Sequence, residues 1–181
     1  MRKSRKVRRL IVVLGDQLDA KSAAFDEFEK DSDAVWMAEV SGEANFVWSH
    51  KARIALFLSA MRHFRDSLRK RNIQVEYRSL DDRSNSGEFA EEFEEALVRL
   101  RPDRIVMLEP GEWRVKEAFQ EVANRLGIQL EIRADRHFLA THEEFADHAR
   151  GRKQLRLEYF YRELRRKHTI LMDGDLSLIH I

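Results

Sequence analysis

The stretch LIVVLGDQLDAKSAAF, residues 10–25, decides the fold. A β-branched apolar run stops at Gly15 and enters a tight turn, and the residues after the turn read as a helix. A strand, a turn and a helix open a βαβ unit, the building block of a parallel sheet. Dinucleotide binders place several glycines in that turn so that a phosphate can approach the backbone. Here Gly15-Asp16-Gln17-Leu18 offers one glycine followed by an acid.

Working outward, five apolar runs read as strands: 9–14, 34–40, 74–78, 104–108 and 129–133. The first, second and fourth are almost continuously hydrophobic, as expected of central strands covered on both faces. The third and fifth alternate, which suits edges. Helical spacing lies between them. In 49–71, Ile54, Phe57, Leu58, Met61, Phe64 and Leu68 recur at intervals of three and four, and 87–100 and 112–126 behave alike, with Gly127 as a stop. The expectation is an α/β, Rossmann-like, doubly wound five-stranded parallel sheet of order 3-2-1-4-5 with helices on both faces, spanning 1–149. From 150 to 175 the chain reads as the start of a helical linker, GRKQLRLEYFYRELRRKH being basic and aromatic.

Composition narrows the function classes. The chain has 181 residues, 43% hydrophobic and 36% charged, with a net charge of +1, so no global field argues for nucleic acid. No apolar run approaches the ~20 residues of a membrane span. The basic opening MRKSRKVRR reads as a solvated tail rather than a signal sequence. With no cysteine, thiolate catalysis and cysteine metal sites are excluded in this segment, and a cytoplasmic location is expected.

In a doubly wound sheet the ligand crevice lies at the carboxyl ends of the strands where their order reverses, here between strands one and four. The facing loops are Gly15-Asp16-Gln17-Leu18 and Glu109-Pro110-Gly111-Glu112-Trp113, and the turn after strand two adds Glu39 and Glu43. Asp16, Glu39, Glu43, Glu109 and Glu112 would ring the crevice with carboxylates, which repel phosphate and accept hydrogen bonds from ring N–H groups and hydroxyls. A neutral polyhydroxylated or heteroaromatic ligand fits that chemistry. The alternative is that Asp16 and Glu109 only cap helices.

Other signals stay open. His142 and His148, six apart, fall on different helix faces and make a poor metal pair. His50 could touch a ligand or simply face solvent. Trp113 and Arg114 could wall the crevice or pack on the sheet. Arg150, Arg152, Lys153, Arg156, Arg162, Arg165, Arg166 and Lys167 interleave with Tyr159, Phe160 and Tyr161. That mixture serves nucleic-acid sites, and equally a solvated face with a docking aromatic stripe.

LGDQL, GEANFVWSHKARIALFLSAMRHF, EPGEWR and GRKQLRLEYFYRELRRKH occur in order from about residue 10 to 174. Together they resemble the cryptochrome/photolyase family, and within it the bacterial iron–sulfur branch, the deoxyribodipyrimidine photolyase-related proteins that include prokaryotic (6-4) photolyases. The resemblance implies an α/β domain that binds an antenna chromophore, 6,7-dimethyl-8-ribityllumazine, a neutral heteroaromatic with a ribityl chain. It implies that FAD and a [4Fe-4S] cluster sit in a further helical domain. It also implies that damaged DNA is the partner of the longer, monomeric protein, which repairs photolesions with light. Onto this sequence the resemblance carries the antenna neighbourhood to Gly15, Asp16, Gln17, Glu43, Asn45 and Phe46, with Asp16 and Glu43 as the main acceptors.

The family continues after its LM-x-G-[DE] segment with a Gly-Gly-x-Trp-Asn-Phe-Asp type of run, whereas here Asp175-Leu176-Ser177-Leu178-Ile179-His180-Ile181 follows. Residues 176–181 therefore read as a non-native or frame-shifted tail, and the chain as an N-terminal fragment without catalysis of its own. A stand-alone nucleotide-binding or signalling module of the same topology, or a DNA-binding accessory domain acting through 151–168, are the rival readings.

Overall fold

In the computed structural model, residues 6–42, 50–173 and 176–177 are described. They form two compact units, Met1–Asp135 and Arg136–Ile181.

The first unit contains five parallel strands: β1 (Arg9–Val12), β2 (Ala34–Ala38), β3 (Val75–Arg78), β4 (Arg104–Leu108) and β5 (Gln129–Arg133). They lie in the order β3-β2-β1-β4-β5, every neighbouring pair parallel, which is the expected topology. Among the described residues, three helices return the chain: α1 (Lys51–Lys70), α2 (Phe89–Leu100) and α3 (Trp113–Leu126). The two faces of the central strands feed two cores. Leu10, Val12, Trp36, Ile105 and Met107 point to one core with Phe93 of α2 and Phe119 of α3. Ile11, Val35, Met37, Val106 and Leu108 point to the other with Met61 and Leu68 of α1. Alternation within an unbroken apolar run is what a strand covered on both sides requires.

Aromatic packing anchors the first core. The Phe93 and Phe119 rings meet edge to face at 4.5 Å, and the Trp36 ring lies 5.3 Å from that of Phe93. Both phenylalanines are fully buried, each contributing about 1.5–3 kcal/mol of transfer free energy. α3 stops at Gly127, whose φ of 67° is the left-handed cap a glycine supplies freely.

Two expectations need correction. No α-helix follows β1; the crossover is irregular and holds one short 3-10 turn, Ala23–Phe25. Leu18, Ala20, Phe25 and Phe28 still pack on the second core, so the segment is held by burial without helical periodicity. Nor does the basic opening remain solvated to its end. Arg9 is fully buried and donates twice to Asp33 Oδ2, from Nε at 3.0 Å and Nη2 at 2.9 Å. Arg8 donates to both Asp33 oxygens at 2.9 Å. The pair of arginines ties β1 to the residue that leads into β2.

The second unit contains α4 (His142–Ala149), α5 (Leu157–His168) and a two-stranded antiparallel ladder of β6 (Met172–Asp173) and β7 (Leu176–Ser177). α4 begins with a full capping box between Thr141 and Glu144. The helix expected from residue 151 starts instead at Leu157; Gly151, with a φ of 72°, follows the end of α4. Buried His148 links the two helices: its Nδ1 lies 2.7 Å from Glu163 Oε2, and its ring lies 5.0 Å from that of Phe160.

Candidate functional site

The strand order reverses between β1 and β4, so the candidate crevice is the space beyond the carboxyl ends of those strands. Its two walls are the Gly15–Leu18 turn and the Glu109–Trp113 loop, and they are bonded to each other. Gln17 Nε2 donates to the Glu109 carbonyl at 2.9 Å. Gln17 is 6% exposed, and its Oε1 is buried with no hydrogen-bond partner among the described residues. A buried acceptor left unpaired costs about 1–3 kcal/mol, so the position calls for a donor from a ligand or a water.

Gly15 is set by close approach. A Cβ there would stand 2.4 Å from Cε1 and Cζ of Phe57 and 2.9 Å from Met61 Sδ. The glycine therefore lets the Phe57 ring of α1 cover the turn. Phe57 remains 44% exposed, which leaves an apolar ring edge at the crevice mouth.

Asp16 does not cap an α-helix, and it makes no ion pair among the described residues. Its side chain reaches solvent on one side while protein atoms crowd the other. That crowding raises the carboxyl above the ordinary aspartate value of 3.8, its own backbone N–H pulls it back, and Glu112 and Asp135 raise it further. Asp16 Oδ2 lies 3.8 Å from where a Cβ on Gly111 would stand, so the two loops face each other closely.

The remaining carboxylates are partly committed. Glu109 accepts from Lys116 Nζ at 2.7 Å, and Glu112 from Arg114 Nη2 at 2.9 Å. Glu112 occupies the N-cap position of α3, yet its side chain makes no cap bond. The capping alternative thus fails for Asp16 and for Glu109. Trp113 is 67% exposed, with Lys116 Nζ 5.4 Å from its ring centroid; it stands beside the crevice rather than on the sheet.

Glu39 is the clear departure from expectation. It is buried, and it is consumed by structure: Arg62 Nε and Nη2 donate to it at 2.6 and 2.8 Å, the Leu80 N–H at 2.9 Å, and the Tyr77 hydroxyl as well. Burial pushes its carboxyl up, but these donors outweigh it and hold the group below the ordinary glutamate range. The same arrangement raises the Tyr77 hydroxyl, through burial first and the carboxylate second. Glu39 has no lone pair to spare for a ligand.

Glu43, Asn45 and Phe46 lie outside the described residues. His50 is the N-cap of α1, its Nδ1 accepting from the Ala52 N–H at 3.2 Å, which is a structural role. No group of three or more His, Cys, Asp or Glu able to hold a metal occurs among the described residues. Elsewhere, a cleft of about 150 Å³ runs along β3 and α2, but Arg78 there is engaged by Glu92 at 2.6 Å. Two residues beside these loops escaped the sequence reading. Phe57 carried a helical-spacing signal but none for the turn it covers. Asp135 was legible only as a residue just past the end of the fifth strand.

The donor set tests the ligand chemistry. Asp16 and Gln17 Oε1 present acceptors, Gly15 and Phe57 an apolar edge, and phosphate would meet carboxylates. Acceptors beside an apolar edge suit a neutral ligand carrying hydrogen-bond donors better than they suit a phosphate.

The comparisons agree with this architecture. The family model described as "Deoxyribodipyrimidine photo-lyase-related protein" matches residues 11–177. The chain is 47% identical over 166 residues to a protein named "(6-4) photolyase" from Agrobacterium fabrum (strain C58), covering 92% of this chain and 33% of that relative. It thus spans a third of the relative's length. No helix among the described residues is long and apolar enough to cross a membrane. With the parallel sheet, its switch-point crevice and a match over nearly the whole sequence, the chain belongs to the deoxyribodipyrimidine photo-lyase-related protein family.

Proposed function

We propose that this chain is the antenna-chromophore-binding domain of a photolyase-type protein. It holds 6,7-dimethyl-8-ribityllumazine in the crevice between the β1 and β4 loops. Gln17 Oε1 accepts from the ring N–H or a ribityl hydroxyl, Asp16 accepts from the other donors, and Phe57 lies against the ring edge. One observation carries this reading: a buried, unpaired amide oxygen in the crevice wall, next to a carboxylate without an ion-pair partner.

The chemistry such a chromophore supplies is absorption of light and transfer of excitation. The residues here would bind it, orient it and shield one face from water; none is assigned a bond-breaking role. FAD, a [4Fe-4S] cluster and the repair of photolesions in DNA belong, in this proposal, to the further length that the relative possesses. The family membership and the (6-4) photolyase relative support that placement.

Fluorescence titration of the 181-residue chain with 6,7-dimethyl-8-ribityllumazine tests the reading. Quenching or a spectral shift that saturates at micromolar concentration is expected, weakened at least tenfold by Asp16→Ala in a domain of unchanged circular dichroism. No response at tens of micromolar from the folded chain would refute it.

A further inference from the structure

α1 is longer than the sheet it packs on. Its 20 residues make about 30 Å of helix, whereas a strand of five residues such as β2 spans about 17 Å. β2 and β3 are parallel, so α1 between them runs back against their direction. Two contacts fix where along the sheet it lies. Arg62 meets Glu39, the first residue beyond β2. The Phe57 ring covers Gly15, which lies beyond the end of β1. The residues before Arg62 therefore project past the carboxyl ends of the strands, over about 16 Å. Burial agrees. No residue in 51–60 is buried and Leu56 is 73% exposed, whereas the buried residues of the helix, Met61 and Leu68, lie in its second half. Leu58 reaches the second core from the overhanging half, and it is only half-buried.

An overhanging half-helix takes its direction from its root. There Arg62 presents a fork to Glu39, with Nε at 2.6 Å and Nη2 at 2.8 Å, and the carboxylate is fully buried. Glu39 is itself held by the Leu80 N–H at 2.9 Å and by the Tyr77 hydroxyl. The Arg65 guanidinium, also on α1, lies 4.7 Å from the centroid of the Tyr77 ring. Apolar burial is non-directional, so Met61 and Leu68 hold the helix to the sheet without fixing its rotation. A two-point guanidinium–carboxylate contact does define an orientation. Phe57 lies five residues ahead of Arg62, about 7.5 Å along the axis, so a small turn at the root is carried to the ring over Gly15.

We propose that Arg62 is a positioning residue for the crevice. Its fork on Glu39 sets the rotation and the advance of the overhanging half of α1, and so places the Phe57 ring on the Gly15 turn. Glu39, which has no lone pair to spare for a ligand, serves the site through this link. Arg62 acts on the ligand through Phe57 rather than by contact. The effect on affinity rests on the crevice being the chromophore site, whereas the placement of Phe57 is a property of the free chain.

The test is NMR of the 181-residue chain without ligand, followed by titration with 6,7-dimethyl-8-ribityllumazine. In the unaltered chain a nuclear Overhauser effect should connect the Phe57 ring protons with the Gly15 Cα protons. Arg62→Met should remove it and speed amide exchange at residues 55–60 about tenfold, with exchange around Leu68 unchanged, because bonds to a charged group oppose local opening by at least that factor. Arg62→Met leaves Glu39 buried without its cation, which endangers the fold. The double variant Arg62→Met, Glu39→Gln repeats the test with a neutral pair, since glutamine still accepts from the Leu80 N–H. Both variants should bind ribityllumazine about tenfold more weakly, and in a Phe57→Ala background Arg62→Met should change the affinity no further. A residue that only stabilised the fold would act equally with or without Phe57. An unchanged Overhauser effect and exchange in the folded double variant, a lost contact with affinity intact, or an Arg62 effect that persists in full beside Phe57→Ala would each overturn the proposal. An unaltered chain that binds no ribityllumazine would refute the reading of the crevice, and the ligand-free comparison would still decide the role of Arg62.

Discussion

Gln17 and Glu109 stand 92 positions apart and are joined by one hydrogen bond of 2.9 Å, from the Gln17 amide to the Glu109 carbonyl. That bond ties the loop after β1 to the loop after β4 at the point where the sheet reverses direction. The same amide turns a buried oxygen to no partner. Gln17→Met keeps the volume and removes both features. The lost hydrogen bond costs about 1 kcal/mol, and release from the unpaired oxygen offsets much of it. Thermal unfolding should therefore move by no more than about 3 °C, while ribityllumazine affinity falls at least tenfold. A large loss of stability with unchanged affinity would make Gln17 a purely structural residue.

Gly15 reports on the Phe57 ring above it. Gly15→Ala places a methyl group inside the van der Waals radius of that ring and of buried Met61. Overpacking of this kind costs about 1–3 kcal/mol. Because Phe57 is part-exposed, its ring can swing outward, whereas Met61 has no such route. In a double-mutant cycle by urea denaturation, Phe57→Ala should recover part, not all, of the loss. Strict additivity would show that the two residues do not touch in solution.

Arg9 and Asp33 form a pair with both side chains fully buried. Asp33→Ala leaves the Arg9 guanidinium without its carboxylate, a loss of about 3–5 kcal/mol. The pH dependence follows. Burial raises the Asp33 carboxyl, but Arg8, the Glu29 N–H and Arg9 outweigh it and leave it below 3.8. Glu39 likewise ends below 4.5, burial being outweighed by Arg62, Tyr77 and Leu80. Folded values below unfolded ones mean that this stability is present above the unfolded values and is lost as pH falls through the folded ones. Urea midpoints should hold from pH 7 down to about 5 and then drop steeply, and the Asp33→Ala variant should show a shallower drop.

Asp16 has the opposite sign. Its carboxyl is raised above 3.8 by crowding and then by Glu112 and Asp135. A ligand that donates hydrogen bonds to the carboxylate binds the ionised form, so affinity should climb as pH rises through a midpoint above 3.8 and then level off. Asp16→Asn should flatten that climb in a titration followed from about pH 4 to 8. An unaltered pH profile in the asparagine variant would remove Asp16 from the ligand contacts.

The strand order was legible in the sequence because β2 is apolar throughout and β1 and β4 are apolar after their opening arginines, as strands covered on both faces require. The alternating β3 and β5 marked the edges. The turn Gly15–Leu18 was legible as a candidate site because it follows the first strand of a doubly wound sheet. What stayed hidden was set by distant partners. Arg9 reads as the end of a basic tail until Asp33, 24 positions on, buries with it. Glu39 reads as a crevice carboxylate until α1 and β3 supply Arg62 and Tyr77. The missing helix after β1 could not be read from Leu18, Ala20, Phe25 and Phe28, which pack on the core without a helical period.

The most direct test of the central claim is a nitrogen-15 NMR titration of the 181-residue chain with 6,7-dimethyl-8-ribityllumazine. The account predicts saturable shifts at the backbone amides of Gly15, Asp16, Gln17, Gly111 and Glu112 and at the Gln17 side-chain amide. Amides at the opposite end of the sheet, such as Arg104 and Gln129, should stay in place. Shifts confined to residues away from the β1 and β4 loops, or none at saturating ligand, would contradict it.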